Sequence, residues 1–275
     1  MIKDEKLFKD LDLSSLRMIC TGGEPWTEKP WKWLFQVIGK SKVPIMNSAG
    51  GTEVSGSILH CCLHRPFKVG SFNAPIPGMS ADILNLDGQK VSTNEMGELV
   101  MRKSSIGLTK SLWNDDKRYI DNYWSVIKDY WVHGDLASRD ADGHWYLHGR
   151  SDDTIKVSGK RIGPSELESV IVKSGKAKEV AAVGIPDANK GSKIILSIVP
   201  AENNDQKESF FEDLVIKDLG KSFKPDKVIF VKDLPKTRNM KIMRRVIKSC
   251  LTNEDPGDIS TLLNPESVEE IKQHA

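Results

Sequence analysis

The sequence predicts an α/β segment, then a β-rich part, then a small α+β domain, and three observations carry that expectation. An apolar run, an amphipathic helix and a second apolar run follow one another between residues 11 and 46. From about residue 66 short apolar stretches recur between turn signals, the spacing of a small β-barrel or sandwich. After the pair Asp152-Asp153, helical and strand periodicities alternate to the end of the chain. These place a large domain over 1–151, α/β to about 65 and β-rich from about 66, and a second domain over 152–275.

Leu11 to Cys20 reads as a capped connection into a buried strand ending at Thr21-Gly22-Gly23. Glu24-Pro25-Trp26 opens a helix through Trp31, Leu34, Phe35 and Ile38, with Gly39 as its stop. Val43 to Met46 is a second strand, and Asn47 to Glu53 is the loop that follows it. Turns at 75–78, 86–88 and 94–97 punctuate the β-rich part, a short helix falls within 112–124, and 130–137 with 143–147 form a hairpin. Beyond the Asp pair, Ile155–Val157 and Lys160–Ile162 face each other across Ser158-Gly159. Pro164 takes a first helical position, with Glu166 and Glu168 in the positive first turn. Strands follow at 179–185, 194–200 and 227–231, with a polar loop at 202–206 and a helix around 210–219. Ile242, Met243, Val246, Ile247 and Cys250 mark one face of a later helix, with Arg244, Arg245 and Lys248 on the solvated face, and a polar tail ends in a short helix.

Composition excludes several classes of function. Hydrophobic residues at 39% with 28% charged describe a soluble globular chain. Forty basic against thirty-eight acidic side chains leave +2, too balanced for a nucleic-acid or anionic-membrane partner. No apolar run approaches the roughly 18 residues of a membrane span, and Met1 to Lys6 lacks the apolar core of a signal peptide. Cys20, Cys61, Cys62 and Cys250 show no metal-ligand spacing, and adjacent cysteines pair poorly, which places the chain in a reducing cytoplasm.

Several short stretches carry residue types suited to nucleotide chemistry, although each also fits an ordinary turn or solvated face. Gly50-Gly51-Thr52-Glu53 combines close backbone approach, a hydroxyl that can donate to phosphate, and a carboxylate. Asp135, after Gly134, can accept two hydrogen bonds from a vicinal diol. Arg150 and Arg161 offer planar forks for phosphate or hydroxyl oxygens. The stretch Leu234 to Arg245 holds Lys241 in a basic run.

Together, Gly149–Glu168 and Leu234–Arg245 resemble the hinge and the lysine loop of the acyl-adenylate-forming enzymes. That superfamily contains acyl-CoA synthetases, peptide-synthetase adenylation domains and luciferases, and the likeness is closest to acetyl-CoA and other short- and medium-chain acyl-CoA synthetases. It extends from about Leu13 to about Ile247 and rests on five motifs in the family's order. It implies part of an adenylating-enzyme large domain followed by a C-terminal lid. The reaction would join a small carboxylic acid to coenzyme A through an acyl-adenylate, using ATP with Mg2+ and releasing AMP. By resemblance Gly23, Glu24 and Pro25 contact adenine, Thr52 the adenylate phosphate, and Glu53 the magnesium. Asp135 would bind the ribose, Arg150 the nucleotide, and Arg161 would lie near the phosphates. Asp152 corresponds to the hinge residue between two catalytic conformations, Ser158 and Gly159 to the loop near coenzyme A, and Lys241 to the mobile lysine.

The departures are as specific as the matches. Gly50 and Gly51 stand where acetyl-CoA synthetases have Trp-Gln, a tryptophan that closes the acyl pocket at acetate size, so a longer or branched acid is expected. His133 stands where many relatives have Thr. Asn239-Met240 replaces Ser-Gly before the lysine, and a positive φ there would strain Met240. No Ser/Thr/Gly-rich phosphate loop precedes the first strand; Ser104 to Lys110 is the nearest in composition but occupies another place. The expectation is a truncated or split synthetase, C-terminal half only and inactive alone. The alternatives are a non-catalytic AMP- or acyl-adenylate-binding remnant, or a partner of a separately encoded N-terminal half.

Overall fold

The computed structural model describes residues 8, 11–23, 25–202 and 205–275, so Glu24 and part of the polar loop at 202–206 lie outside the described residues. The chain divides into two compact units, Met1–His148 and Gly149–Ala275.

In the first unit, β1 (Ile19–Gly22) and β2 (Ile45–Gly51) pair in parallel, and α1 (Glu28–Trp33) connects them, continuing into a wider π turn at Leu34–Ile38. The helix starts later than the Glu24-Pro25-Trp26 signal. The Trp26 indole N–H donates to Thr21 Oγ at 2.7 Å, and the chain remains extended to Thr27, where φ is −87° and ψ 154°. Trp31 then turns inward and stacks on Phe35 with ring centroids 5.7 Å apart. β1 is not the buried strand its composition suggested. It ends its sheet, with Cys20 and Gly22 exposed and Ile19 half-buried.

β2 runs on through Gly51, past the expected strand end at Met46, and returns antiparallel as β3 (Gly56–His60), with β4 (Ala74–Pro75) beyond. A second sheet holds β5 (Ala81–Leu84), β6 (Gly97–Met101), β7 (Trp131–Arg139) and β8 (Trp145–Arg150) in sequential order. The turns expected at 86–88 and 94–97 lie between β5 and β6. Between β6 and β7, α2 (Asp116–Tyr119) leads into a π turn at Ile120–Trp124. An antiparallel bridge between Phe72 and Trp145 links the two sheets, and Ile58, Leu59, Leu99, Met101 and Trp131 fill the core beneath them.

The β7–β8 turn is held by charge. Lys68 Nζ lies 2.6 Å from both Asp140 and Asp142, and Asp140 Oδ1 accepts the His144 amide at 2.9 Å. Burial would raise the Asp140 carboxyl, but the Lys68 ammonium and the His144 amide outweigh it and hold the pKa at about 2. A depressed carboxylate stabilises the fold fully above its unfolded value and loses that contribution as pH falls toward its folded value. Asp140→Asn is therefore expected to cost on the order of 1–2 kcal/mol at pH 7 and progressively less between pH 4 and pH 2. All seven tryptophans lie in the first unit, so tryptophan fluorescence during urea unfolding at each pH reads this directly.

In the second unit, β9 (Ile155–Val157) and β10 (Lys160–Ile162) pair across Ser158 and Gly159, both left-handed at φ 49° and 81°. Two consecutive positive φ values make a type I′ turn, whose twist matches the flanking strands. α3 (Pro164–Lys173) follows, and Glu166 Oε1 accepts the Gly163 amide at 3.1 Å, satisfying a donor at the helix start. β11 (Ala177–Asp187) and β12 (Gly191–Pro200) form a long hairpin, and α4 (Glu208–Leu219) leads to β13 (Lys227–Phe230), parallel to β12. Side chains of β12 alternate between two cores. Ile194, Leu196 and Ile198 pack with Leu167 and Ile171 of α3 and Phe211 of α4. Ile195 and Val199 pack on the other face with residues of α5 (Arg244–Thr252) and α6 (Glu266–Lys272). Burial on both faces explains why this strand reads as an almost unbroken apolar run.

Two expectations for the basic helix are corrected. Ile242 and Met243 precede α5 and are not part of it: Ile242 bridges Lys236 across a tight loop. Arg244 is not solvated; its guanidinium forks onto Glu168 at 2.7–3.0 Å, and Glu168 also accepts the Ala182 amide at 2.9 Å. No helix among the described residues is long and apolar enough to cross a membrane.

Candidate active site

The parallel pair β1–β2 delivers its carboxyl ends to one edge of the first unit, where open α/β sheets bind ligands. Gly23 and Pro25 are exposed after β1, Gly23 with φ 108°. Thr21 Oγ donates to Asn47 Oδ1 at 3.1 Å, and Ser48 Oγ donates to the Thr21 carbonyl at 3.1 Å, which ties this loop to β2. Gly51 leads into a single 3-10 turn, Thr52–Val54, with Thr52 exposed and Val54 buried. The Ser104–Lys110 loop packs against it: the Thr109 amide donates to the Glu53 carbonyl at 2.7 Å.

Asp135 reaches the same neighbourhood through an irregularity in β7. Glu98 pairs with Leu136 and Val100 with Val132, so one residue of β6 faces the three residues His133-Gly134-Asp135. Gly134 adopts φ 83°, which a side chain would disfavour, and the resulting bulge brings His133 Nε2 to 3.2 Å from Asp135 Oδ2. A methyl placed on Gly51 would lie 2.5 Å from Glu53 Oε2 and 3.3 Å from His133 Cε1. Glu53 and His133 thus flank the bare backbone of Gly51, and His133 in turn meets Asp135.

At both glycines the space where a side chain would begin is already occupied. A methyl on Gly50 would overlap the Gly56 carbonyl and lie 2.5 Å from Ser57 Cα, so bareness here lets β2 and β3 approach at their bulge. At Gly51 the place of a side chain is taken by Glu53 and His133.

Tyr123 was not foreseen as a site residue. Its hydroxyl donates to Glu53 Oε1 at 3.0 Å, and its ring stacks on Trp131 at 5.3 Å, which in turn packs on His133 at 5.5 Å. Tyr119 and Tyr123, four apart on one helical turn, were the signal that an aromatic face was being presented. Glu53 offers one oxygen-donor group, and among the described residues no cluster of three or more His, Cys, Asp or Glu could hold a metal. A single carboxylate fits magnesium, which commonly completes its shell with waters and substrate phosphates.

In the second unit, Arg150 and Asp152 face each other across one residue, with the guanidinium on the carboxylate at 3.1 and 3.3 Å. Burial raises the Asp153 carboxyl above its ordinary value, aided by Asp152 and opposed by Arg244 and Arg150. Arg161 on β10 and the Ser158-Gly159 turn are exposed. Lys241, also exposed, ends a tight hairpin: the Thr237 amide donates to the Lys241 carbonyl at 2.9 Å and the Met240 amide to the Thr237 carbonyl at 2.8 Å. Its base is anchored by Lys236, only 5% exposed, 2.6 Å from Glu179 and 2.5 Å from Asp233.

Met240 occupies the left-handed bulge position of this hairpin with φ 64°, so the strain expected from its sequence is present. The left-handed region costs an L-residue about 1–2 kcal/mol, and Met240 recovers little by packing because it is 58% exposed. Met240→Gly is expected to stabilise the second unit by about 0.5–1 kcal/mol after glycine's entropy cost. A raised urea midpoint by circular dichroism checks this, and a lowered one contradicts it.

The family model for AMP-binding enzymes matches residues 1–113, and that for the AMP-binding enzyme C-terminal domain matches residues 166–241. Acetyl-coenzyme A synthetase of Pasteurella multocida (strain Pm70) is 37% identical over 95% of this chain, which covers 42% of that protein. The corresponding synthetase of Methanothrix soehngenii is 38% identical over 94% of this chain and 40% of its own length. Among solved structures, acetoacetyl-CoA synthetase from Streptomyces lividans superposes with a TM-score of 0.83 at 23% identity, over 97% of this chain and 42% of that one, a likeness of fold. The chain spans about two fifths of the length of the curated relatives it matches. It belongs to the AMP-binding, acyl-adenylate-forming enzyme family.

Proposed function

We propose that this chain carries the ribose-binding, metal-binding and lysine-bearing parts of an AMP-forming acyl-CoA synthetase. The observation that supports it most is the bulge at Gly134, which sets Asp135 beside the Thr52-Glu53 turn at the carboxyl end of β2. In the proposed reaction a carboxylate oxygen of a small acid attacks the α-phosphorus of ATP and pyrophosphate departs with its bonding pair. The thiolate of coenzyme A then attacks the acyl carbon and AMP leaves.

Asp135 accepts hydrogen bonds from the ribose hydroxyls, Thr52 donates to the phosphate, and the segment containing Gly23, Glu24 and Pro25 lies along adenine. Gly50 and Gly51 form a wall of the acyl site. Glu53 holds magnesium, which supplies neutralisation of phosphate charge when bound. Arg150 and Arg161 meet nucleotide and phosphate oxygens. Lys241 offsets the repulsion between carboxylate and phosphate, on the order of 4 kcal/mol at about 4 Å and an effective dielectric near 20, before desolvation. Asp152 serves as the hinge between the half-reactions, and the Ser158-Gly159 turn lies along coenzyme A. The cysteines are all free among the described residues, which suits a reducing cytoplasm.

The family's phosphate loop has no counterpart in these 275 residues, and in this reading a phosphate-loop segment, in the same polypeptide or another, completes the site. Strain at Met240 beside Lys241 favours a second reading, nucleotide binding without turnover. Acid-dependent exchange of labelled pyrophosphate into ATP separates the readings. These residues by themselves are expected to show none, and addition of a phosphate-loop half is expected to restore it. Strong exchange by this chain alone, lost in Lys241→Ala, would show it to be a complete catalyst. Exchange that stays absent with the added half would favour binding without turnover.

A further inference from the structure

We propose that His133 is a positioning residue that makes the nucleotide site selective for a ribose bearing its 2′-hydroxyl; this rests on the reading of Asp135 as the ribose carboxylate. Three observations carry it. The imidazole is 6% exposed yet lies 3.2 Å from a carboxylate oxygen at the end of the bulge. With Nε2 carrying the imidazole proton, the ring donates to Asp135 Oδ2 across this distance. The ring is held on two sides, by Trp131 at a centroid distance of 5.5 Å and by the bare backbone of Gly51, where a methyl would come within 3.3 Å of Cε1.

A donor fixed in this way fixes the plane of the carboxylate it binds. A vicinal diol needs that plane, because its two hydroxyls reach a carboxylate in a matched pair only when both oxygens face them. A freely rotating Asp135 would pay ordering entropy on every binding event, and the loss would fall on the diol contact alone. Adenine and phosphate contacts would be untouched.

The test is calorimetric titration of AMP and of 2′-deoxy-AMP into the chain and three variants. The wild-type chain is expected to prefer AMP by at least tenfold. In His133→Phe, which keeps the aromatic packing on Trp131 and removes the donor, the preference is expected to fall about fivefold through weaker AMP binding, with 2′-deoxy-AMP unchanged. His133→Gln, which restores an N–H donor, should recover most of it. Equal weakening of both nucleotides in His133→Phe, or no change in either, overturns the inference. If Asp135→Asn abolishes AMP preference while His133→Phe does not, the ribose reading stands and only the role of His133 falls. If the wild-type chain binds neither nucleotide, both fall together.

Discussion

Lys236→Ala is expected to cost the second unit about 1–3 kcal/mol, between the ranges for an exposed and a fully buried ion pair, because its partner carboxylates are partly solvated. Lys236 is almost fully enclosed, and its ammonium sits between Glu179 and Asp233. Burial alone would lower its pKa, but hydrogen bonds to Asp233 and Glu179 outweigh it and the ammonium is held above its ordinary value. Asn264 completes the assembly by accepting the Lys236 amide at 3.0 Å and donating to Asp233 at 2.7 Å. Alanine would leave two carboxylates facing each other at the base of the Lys241 hairpin. Because no tryptophan lies in this unit, fluorescence will miss the change. Amide hydrogen exchange along β11 and β12 is the suitable measurement, and a loss below about 1 kcal/mol would show that the ammonium behaves as a solvated surface charge.

Gly50→Ala is expected to cost the first unit about 3 kcal/mol or more, at the upper end of overpacking penalties. The added methyl would meet backbone of β3, which can move only if the β2–β3 pairing opens. Gly51→Ala should be far milder for the fold, because the nearest obstacle is the movable tip of Glu53. The two adjacent glycines thus differ sharply in how much the fold depends on them. Tryptophan fluorescence during urea unfolding distinguishes them, and equal losses at both positions would contradict the assignment.

Much of the second unit was legible because local signals and packing agree. Ser158-Gly159 announced a tight connection between two short strands, Pro164 a helix start, and the apolar run at 194–200 a strand. The first unit was harder to read because tertiary contacts override local pattern there. Trp26 looked like a helical residue but is held by Thr21, which delays α1. At Gly50 the approach of β3 leaves no room for a side chain, a non-local fact that no window of sequence contains. Arg244 fitted a solvated helical face until Glu168, far away in the chain, claimed it. Among candidate site residues, Thr52, Glu53 and Asp135 have suitable residue types, but their assignment rests on the family resemblance and not on local pattern. Tyr123 was not legible, because its role depends on a helix that packs across the sheet onto Glu53.

The proposed nucleotide site is tested most directly by calorimetric titration of AMP into the wild-type chain and into Asp135→Ala. Saturable heat from the wild type and at least a tenfold weaker response from the variant are expected. Absence of heat at millimolar AMP, or undiminished binding by Asp135→Ala, would contradict the placement of the ribose carboxylate in the β7 bulge.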